Sequence, residues 1–339
     1  MFETKLLGTD EESLGTAAKL LKEGFVVGIP TETVYGLGAD ALNEDAVRAI
    51  FQAKGRPADN PLIVHISRME QLEGLVREIP AMAVRCAEKF WPGPLTMIMP
   101  KADIIPEVTS GGLDTVGIRM PSNETARKVI TLTGSPIAAP SANLSGSPSP
   151  TTAMHVMKDM NGRIAAVVDG GECAVGVEST VISFQGRDCI RLLRPGFISV
   201  EDLREVTENV VIDKGVLEMV GEKVRVSSPG MKYKHYAPKA EVTVIEGSSR
   251  DFNRFCRENA DKDDVLLTFC EGDSAGLENR CICLGESDEI QAHRLFDALR
   301  ELDAMGAKRA FSRCPEKTGV GLAVYNRLLR AAAFRVIRA

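Results

Sequence analysis

The spacing of apolar positions along the chain predicts an alternation of helices and strands. Apolar side chains at residues 10–22 recur on one helical face, and residues 25–29 form an apolar run that is typical of a buried strand. Asn43 stands where it can cap a helix over 44–54, whose apolar positions again form one stripe. A strand over 62–66 follows. These elements predict that the chain begins with an α/β fold.

The same pattern continues through the next part of the chain. Strands are predicted at 95–99, 115–120, 137–139, 164–168, 180–184 and 189–193, and helices at 81–90, 123–133 and 151–160. We expect these elements to form one α/β domain with a mixed sheet. The stretch 140–150 contains three prolines, four serines and a glycine, so it predicts an exposed loop between a strand and a helix. Loops of this kind often carry binding groups.

A change in composition separates this domain from the rest of the chain. Residues 223–239 contain five lysines or arginines, no acidic residue and several helix-breaking positions, which predicts a linker. Beyond it, strands at 242–245, 265–269 and 310–311 and helices at 249–258, 288–305 and 321–333 predict a small Rossmann-like α/β domain. It lacks the G-x-G-x-x-G dinucleotide fingerprint after its first strand. The predicted boundaries are 1–208, 209–240 for the linker or lid, and 241–339.

Composition agrees with two domains and narrows the function classes. A chain of 339 residues with 44% hydrophobic content is long enough for two cores. Its net charge of −6 counts against a surface built chiefly to bind a nucleic-acid backbone. No apolar run reaches the roughly 18 residues of a membrane span. The eight cysteines complete no zinc-ligand pattern, so we expect structural thiols in a reduced, cytoplasmic protein.

Two cations near a glycine-rich segment predict a polyphosphate site. Gly36 and Gly38 are expected to form a turn whose backbone N–H groups approach an anion. Lys54 offers a point charge, and Arg56 offers a planar fork for phosphate oxygens. Alone, such a pair is also explained by a solvated helix end that interacts with the helix dipole.

Other candidates carry an ordinary structural explanation beside the functional one. Thr33 can bind an amine or a hydroxyl, or can simply be a turn or N-cap threonine. His65 lies in an apolar strand, where a satisfied core histidine is the usual explanation. The apolar flanks of Arg119 predict a buried guanidinium that needs an anionic partner, either a substrate carboxylate or a structural pair with Asp114 or Glu124.

Six motifs together resemble one known family, the threonylcarbamoyl-AMP synthases, in their long, two-domain form. The motifs lie at 30–38, 54–56, 60–62, 140–143, 176–180 and 228–233. A YrdC-type domain, a twisted mixed sheet with flanking helices, would cover about residues 10–205, and a linker with a smaller Rossmann-like C-terminal domain would cover the rest. The resemblance implies that L-threonine, bicarbonate or CO₂, and ATP react to give L-threonylcarbamoyl-AMP and pyrophosphate. The product would serve the modification of adenosine 37 in tRNA.

The resemblance also implies roles for individual residues. It assigns phosphate-charge stabilisation, as catalytic residues, to Lys54 and Arg56. It assigns threonine binding to Thr33, His65, Arg119, Ala139 and Ser179. It assigns nucleotide binding to Arg56, Asn60, Thr115, Ser141, Asn143, Ser149, Arg194, Tyr233 and His235. Mg²⁺ is expected on the ATP phosphates near Ser141 and Asn143, without a certain side-chain ligand.

Two other function classes stay open from the sequence. One is a nucleic-acid-binding module, although the chain lacks an aromatic RNA-binding strand motif. The other is an ATP-dependent carbamoyltransferase that acts on another acceptor, although the zinc modules of longer carbamoyl-transfer proteins are missing. For the synthase, we expect L-threonine, bicarbonate or CO₂, and ATP as partners, with tRNA contact weak or indirect. A downstream tRNA threonylcarbamoyl transferase complex is the expected user of the product, and no membrane contact is expected. The basic linker would then close over the pocket as a lid, or would be an inert tether.

Overall fold

A computed structural model describes residues 3–55, 60–218 and 236–339. The chain divides into two compact units. The first comprises Met1–Ser145 and Ser149–Lys232, and the second comprises Gly146–Pro148 and Tyr233–Ala339. Among the described residues, no helix is both long and apolar enough to cross a bilayer.

The first unit is built on a large mixed sheet. Its strands are β1 Lys5–Leu7, β2 Val27–Ile29, β3 Gly36–Asp40, β4 Ile63–His65, β5 Leu95–Pro100, β6 Thr115–Arg119, β7 Ile137–Ala138, β8 Ala166–Val168, β9 Thr180–Gln185, β10 Cys189–Arg194 and β11 Val210–Ile212. Their spatial order is β1-β8-β2-β3-β7-β4-β6-β5-β9-β10-β11. The sheet contains parallel pairs, such as β4 with β6, and antiparallel pairs, such as β5 with β6, which confirms the predicted mixed sheet.

Helices flank this sheet, and local sequence signals set their ends. They are α1 Glu11–Lys22, α2 Glu44–Lys54, α3 Leu72–Leu75, α4 Ala81–Phe90, α5 Glu107–Ser110, α6 Glu124–Thr133, α7 Ala153–Met160 and α8 Val200–Arg204. The side chain of Asn43 accepts hydrogen bonds from the backbone N–H groups of Asp45 and Ala46 and so begins α2. Gly55, with φ 63°, ends α2 in the left-handed region that glycine adopts without strain. Residues of α1, α6, β2 and β8 bury a shared apolar core.

The second unit has a smaller, fully parallel sheet. Its strands are β12 Glu241–Glu246, β13 Val265–Thr268, β14 Arg280–Cys283, β15 Arg309–Arg313 and β16 Val336–Arg338, in the order β14-β13-β15-β12-β16. Its helices are α9 Ser249–Asn259, α10 Asp288–Ala304 and α11 Gly321–Ala331. Phe252 and Cys256 of α9 pack on Ile245, Leu266 and Phe311 of the sheet. The predicted Rossmann-like α/β class of this part is confirmed.

The glycine segment differs from its prediction. Gly36 and Gly38 lie in β3 and pair with β2, and they do not form an anion-binding turn. A Cβ atom on Gly36 would lie 3.1 Å from the Cβ of Ala139, and one on Gly38 would lie 3.0 Å from Ile137 Cγ2. The glycines are therefore needed because neighbouring strands approach closely, and not because the backbone needs a positive φ.

Two further expectations are corrected by the structure. The stretch 140–150 was predicted to be an exposed loop, yet Ala142 and Ser149 are 0% exposed and Asn143 is 6% exposed. Its backbone is held inside, because Leu37 N–H donates to Pro140 O at 2.7 Å and Ala142 N–H donates to Tyr35 O at 2.8 Å. The linker was predicted to start at residue 209, but β11 pairs in parallel with β10 and belongs to the first sheet.

Candidate active site

A buried ion pair lies at the end of β6. Arg119, the last residue of that strand, places Nη2 2.8 Å from Oε1 of Glu32, and the two side chains are 4% and 8% exposed. Burial is the largest influence and would raise the pKa of the Glu32 carboxyl, but the positive charge of Arg119, together with the donors of Arg119 and the Ser122 backbone, outweighs burial and lowers it. These donors face the carboxyl without the alignment of full hydrogen bonds. The pair is therefore charged and incompletely satisfied.

Threonine hydroxyls continue the network from Arg119. Its Nη1 donates to Thr33 Oγ1 at 2.9 Å. Thr31 donates its hydroxyl proton to Val34 O at 2.6 Å, so the 2.9 Å contact between the two threonine hydroxyls runs from Thr33 to Thr31. The structure thus places predicted Thr33 against predicted Arg119. Both residues are almost fully buried.

His65 is a neighbour of Arg119 in the sheet and is uncharged. The parallel register of β4 and β6 pairs His65 with Arg119, so both side chains point to one face of the sheet. Burial first, and then the positive charge of Arg119, lower the pKa of His65 to about 3. Its Nδ1 atom is buried without a hydrogen-bond partner. At neutral pH this residue therefore offers a neutral ring and not a positive charge.

The polar face continues across the next strands of the sheet. Met97 pairs with Ile118 across β5 and β6, and continuing this register by one residue places Thr96 opposite Arg119. The hydroxyl groups of Thr96 and Ser179 lie 2.8 Å apart, and Arg194 donates to Ser179 Oγ at 3.1 Å and to Ser179 O at 3.0 Å. These bonds join Thr96 of β5, Ser179 just before β9 and Arg194 of β10; Ser179 and Arg194 are predicted site residues. All of these side chains are at most 8% exposed.

Lys54 ties a second group of predicted residues together. Its ammonium donates to the carbonyl oxygens of Ser141 and Asn143, the latter at 2.7 Å. The Lys54 side chain is buried although it is the last residue of α2. Lys54 was predicted to offer its charge to a phosphate, with a solvated helix end as the alternative; the burial of its ammonium against the loop 140–150 excludes that alternative. The backbone reinforces this contact, because Ser145 N–H donates to Lys54 O at 3.1 Å.

The end of the same loop is bonded to the segment that directly precedes β9. Ser149 is 0% exposed and donates its hydroxyl proton to Glu178 Oε1 at 2.6 Å. Glu178 directly precedes Ser179, so the loop is connected to the Ser179 and Arg194 contacts. Tyr35 N–H donates to Pro150 O at 2.9 Å and fixes the loop against the segment that carries Thr33.

The remaining predicted residues of the described chain are Thr115, Ala139 and Asn60. Thr115 begins β6, four residues before Arg119, a distance of roughly 13 Å along a strand. Ala139 follows β7 and donates its N–H to Ile63 O at 2.9 Å, while Asn60 is 1% exposed ahead of β4.

Some predicted site residues lie outside the described residues. They are Arg56, Tyr233 and His235.

Three functional groups were missed at the sequence level. The partner of Arg119 is Glu32, and not Asp114 or Glu124 as the structural alternative had it. Thr96 was not singled out, because a threonine in an apolar strand carries no signal. The carboxylates Glu32 and Glu178 lie inside two of the six family motifs, where a threonine or serine directly after each was the available hint.

The polar side chains near the predicted magnesium position fit an ion that is held mainly by the phosphates of a bound nucleotide. Within residues 3–55, 60–218 and 236–339, no group of three or more histidine, cysteine, aspartate or glutamate side chains could hold a metal. Mg²⁺ retains water and binds readily to phosphate oxygens with one or two protein ligands. The residues near Ser141 and Asn143 therefore fit an ion that is carried mainly by a polyphosphate.

Two protein families match this chain, one over its first part and one over its second part. The family of Sua5, YciO and YrdC proteins, described as telomere recombination, matches residues 19–196. The family described as the C-terminal domain of threonylcarbamoyl-AMP synthase matches residues 198–333. The two matches together cover most of the chain.

Curated relatives and a solved structure match over the full length. The threonylcarbamoyl-AMP synthase of Pyrococcus abyssi is 47% identical over 338 residues, which cover 97% of this chain and 96% of the relative. That of Bacillus subtilis is 45% identical over 341 residues, with coverage of 99% and 97%. The crystal structure of P. abyssi Sua5 complexed with L-threonine has a TM-score of 0.91 and 44% identity, and covers 99% of this chain and 100% of that one.

Proposed function

Because the chain belongs to the Sua5 family of threonylcarbamoyl-AMP synthases, we propose that its buried polar cluster binds the threonine of the family reaction. We call this cluster the threonine pocket; it consists of Glu32, Thr33, His65, Arg119 and Ser179. The observation that carries the proposal is the buried Glu32–Arg119 pair, whose polar atoms are incompletely satisfied. A buried carboxylate and guanidinium side by side match the two opposite charges of an amino acid.

The reaction itself follows from membership of the family. The chain is a nucleotidyltransferase that makes L-threonylcarbamoyl-AMP from L-threonine, bicarbonate and ATP, with release of pyrophosphate. The product serves the N6-threonylcarbamoyl modification of adenosine 37 in tRNA. ATP is therefore a substrate.

Charge balance supports the placement of threonine. Arg119 would hold the substrate carboxylate through its incompletely bonded Nη2, and Glu32 would face the amino group. Because Glu32 compensates Arg119 when threonine is absent, the guanidinium is never a lone buried charge. The hydroxyls of Thr33 and Ser179 and the neutral ring of His65 can accept or donate without adding charge. Ala139 would complete the apolar wall near the substrate methyl group.

The nucleotide would lie along the loop 140–150. Ser141, Asn143 and Ser149 would contact it from the loop, whose position Lys54 maintains. Arg194, Arg56 and Lys54 would offset the phosphate charge. Contacts with the rest of the nucleotide would come from Asn60, Thr115, Tyr233 and His235. Mg²⁺ would be carried on the phosphates near Ser141 and Asn143 and would neutralise part of their charge.

The chemistry that these groups support is positioning and charge stabilisation. In the proposed step the threonine amine has become a carbamate, one carbamate oxygen attacks the α-phosphorus of ATP, and the bond to pyrophosphate breaks in line. No enzyme nucleophile is needed. His65 is a weak base in this setting, because its pKa is lowered to about 3. We therefore assign it to threonine binding and not to proton transfer.

Pyrophosphate release measures this function directly. The full-length chain is given ATP, L-threonine and bicarbonate, and each is omitted in turn, with L-serine as a competing substrate. We expect release that requires both threonine and bicarbonate. Release that does not depend on threonine or bicarbonate would contradict the proposed reaction. Tight RNA binding that weakens with salt and does not respond to ATP would favour a nucleic-acid-binding module.

A variant of His65 tests the assignment within the pocket. His65→Ala is expected to raise the KM for threonine with a smaller change in kcat, since binding is lost rather than a proton-transfer step. A collapse of kcat at unchanged threonine affinity would instead identify His65 as a general base.

A further inference from the structure

The second unit contains a cavity of about 260 Å³ at the end of its sheet. Phe269 and Cys270 directly follow β13, and Arg313 is the last residue of β15. The other lining residues come from the segments after β14 and β15; they are Glu286, Asp288, Gln291, Cys314 and Glu316. The cavity, called here the second-unit cavity, is therefore built at the carboxyl ends of three parallel strands.

This position is where parallel sheets of this kind bind ligands. The strand order β14-β13-β15-β12-β16 means that the chain leaves β13 towards β14 and leaves β15 in the opposite direction, towards β16. The connections after these adjacent strands therefore diverge and leave a crevice between them. Ligands of open α/β sheets bind in such a crevice, outside the carboxyl ends of the strands. The topology thus provides a site independent of the first unit.

Gln291 lines this cavity and carries an unused acceptor. The residue is 3% exposed, and its Nε2 group donates to Glu286 O at 3.4 Å. Its Oε1 atom is buried and has no hydrogen-bond partner. A buried acceptor without a donor destabilises a protein, so its presence indicates that a partner such as a ligand is missing. A ligand that brings an N–H or O–H group would satisfy this atom.

Arg313 presents an unused donor beside it. Its Nη1 donates to both oxygens of Asp273, at 3.0 and 3.2 Å. Asp273 is 0% exposed and is held by Ser249 Oγ at 2.5 Å and by Phe269 N–H at 2.8 Å. These contacts and the Phe269 ring beneath it fix the guanidinium, while its Nε atom remains buried without a partner. We call the side of the guanidinium away from Asp273 its free edge; a carboxylate is the group that best accepts from a guanidinium.

The cavity wall carries several carboxyl groups, which disfavour a ligand with only a negative charge. Asp273 already compensates Arg313, and Glu286, Asp288 and Glu316 add three carboxyl groups to the lining. Burial, followed by the charges of Glu289 and Glu316, raises the pKa of Asp288 despite the Gly321 N–H that its carboxylate accepts. A positive group in the cavity would relieve this repulsion. The ligand should therefore carry a cation as well as an acceptor.

The geometry points to a second ligand site in this cavity, which binds a small α-amino acid as a zwitterion. Its carboxylate lies on the free edge of Arg313, and its ammonium group lies on Gln291 Oε1 and the neighbouring carboxylates. A volume of about 260 Å³ is below the roughly 300–1,000 Å³ of pockets for drug-sized ligands and so fits a molecule of this size. The described residues offer no cluster for a metal ion in its place. L-threonine and other free amino acids share this chemistry.

Thiol protection in the full-length chain gives a readout that is specific to this site. Cys270 and Cys314 line the cavity, whereas Cys281 is exposed on the same unit and does not line it. The alkylation rate of each cysteine by iodoacetamide is measured by peptide mass spectrometry at one fixed pH. The probes are glycine, L-threonine and L-glutamate, with acetate and methylamine as singly charged controls.

We expect an amino acid to slow the alkylation of Cys270 and Cys314 and to leave Cys281 unchanged. Acetate and methylamine should bind at least about tenfold more weakly, since each supplies one of the two charges. Protection by glycine and L-glutamate as well as L-threonine identifies a general amino-acid site, and protection by L-threonine alone identifies a site for the substrate. No protection by any amino acid, or equal protection by methylamine or acetate, would overturn the proposal.

Variants separate this site from the threonine pocket. Gln291→Leu removes the open acceptor, and the double variant Glu286→Gln, Glu316→Gln removes two charges. Both are expected to abolish protection of Cys270 while threonine-dependent pyrophosphate release stays within about twofold, because the cavity lies outside the first unit. Glu289→Gln, next to the lining but not part of it, is the matched control and should retain protection. The reactivity of buried Cys256 checks that the second unit remains folded. Protection that survives in both cavity variants would place the amino acid elsewhere.

Discussion

The threonine pocket of the first unit and the second-unit cavity are built around the same pair of groups. In each, an arginine ends a strand and lies against a buried carboxylate, Arg119 with Glu32 and Arg313 with Asp273. In each, buried side-chain atoms also lack a hydrogen-bond partner, including His65 Nδ1 in the first unit and Gln291 Oε1 in the second. Such atoms gather where a ligand is expected to supply the missing bonds.

The two regions differ in how far water is excluded. The side chains of Arg119 and Glu32 are 4% and 8% exposed, while that of Arg313 is 25% exposed. Hydroxyl groups and a neutral histidine surround the first pair, whereas extra carboxyl groups surround the second. Electrostatic interactions are stronger where water is excluded. We therefore expect larger effects from changes in the threonine pocket than in the second-unit cavity.

The largest effect should follow from breaking the buried pair of the first unit. Glu32→Gln leaves the Arg119 guanidinium buried without a negative partner, which typically costs about 3–5 kcal/mol of unfolding free energy. Trp91, the only tryptophan of the chain, is buried in the first unit and reports its unfolding by fluorescence in urea. The double variant Glu32→Gln, Arg119→Met should recover much of the loss, because no lone charge remains.

The second unit supplies the matched control for this experiment. Gln291→Leu changes a residue that is 3% exposed; its Oε1 atom has no bond to lose, and its Nε2 group loses only one long contact, to Glu286 O at 3.4 Å. Replacing an unpaired buried polar group by an apolar one of similar shape is expected to change stability by less than about 1 kcal/mol. Pulsed alkylation of buried Cys256 measures the opening of this unit. Equal losses in Glu32→Gln and Gln291→Leu would contradict the comparison between the two regions.

A second, smaller effect should follow from releasing the loop 140–150. Lys54→Met removes the charged hydrogen bonds to the carbonyl oxygens of Ser141 and Asn143, and charged hydrogen bonds contribute about 1.5–3 kcal/mol each. We expect about half of this loss, roughly 1.4–2.8 kcal/mol, to reduce catalysis, which is a fall of about 10–100-fold in kcat/KM for ATP at about 1.4 kcal/mol for each tenfold step. Steady-state pyrophosphate release at varied ATP gives this ratio.

A lysine of the second unit controls for loss of charge alone. Lys317 donates to Glu246 at 2.6 Å, but its side chain is 42% exposed. Exposed ion pairs contribute little, so Lys317→Met should leave kcat/KM for ATP within about twofold of the unmodified chain. Unchanged ATP kinetics in Lys54→Met would show that the loop keeps its position without this contact.

Local signals predicted the elements better than the contacts between them. The helix over 44–54 and its Asn43 cap were found in full, because capping and apolar spacing act within a few residues. The glycines at 36 and 38 were misassigned to a turn, since a close approach between strands and a need for positive φ select the same residue type. Only the packed sheet distinguishes the two causes.

The site was predicted unevenly for a related reason. Thr33 and Ser179 lie in the motifs, Arg119 and Arg194 were named from the resemblance outside them, and the structure bonds Arg119 to Thr33 and Arg194 to Ser179. Glu32 was missed as the partner of Arg119 because the two residues are far apart in sequence and meet only through the fold. The second-unit cavity was missed entirely, since its residues come from separate strand ends and form no sequence motif.

The smallest expected effect is a dependence of stability on pH that arises from the threonine pocket. An unfolded histidine takes up a proton near its ordinary pKa of 6.5, whereas burial and then Arg119 lower the pKa of folded His65 to about 3. Between these values the unfolded state binds more protons, so stability falls as pH falls. From pH 7 to pH 5.5 the contribution of His65 is about 1 kcal/mol. Glu32 adds little in this range, because its pKa is lowered from an ordinary value of 4.5, which already lies below pH 5.5.

Urea unfolding followed by Trp91 fluorescence at pH 7 and about pH 5.5 isolates this contribution when His65→Asn is compared with the unmodified chain. The variant should lose less stability on acidification, and the difference between the two chains should equal the His65 contribution. Identical pH dependence would mean that the folded chain leaves the pKa of His65 near its ordinary value of 6.5, so that His65 would join Arg119 as a second cation at pH 5.5. In that case burial in the threonine pocket would not exclude a charged ring, and the contrast with the second-unit cavity in the exclusion of water would be lost.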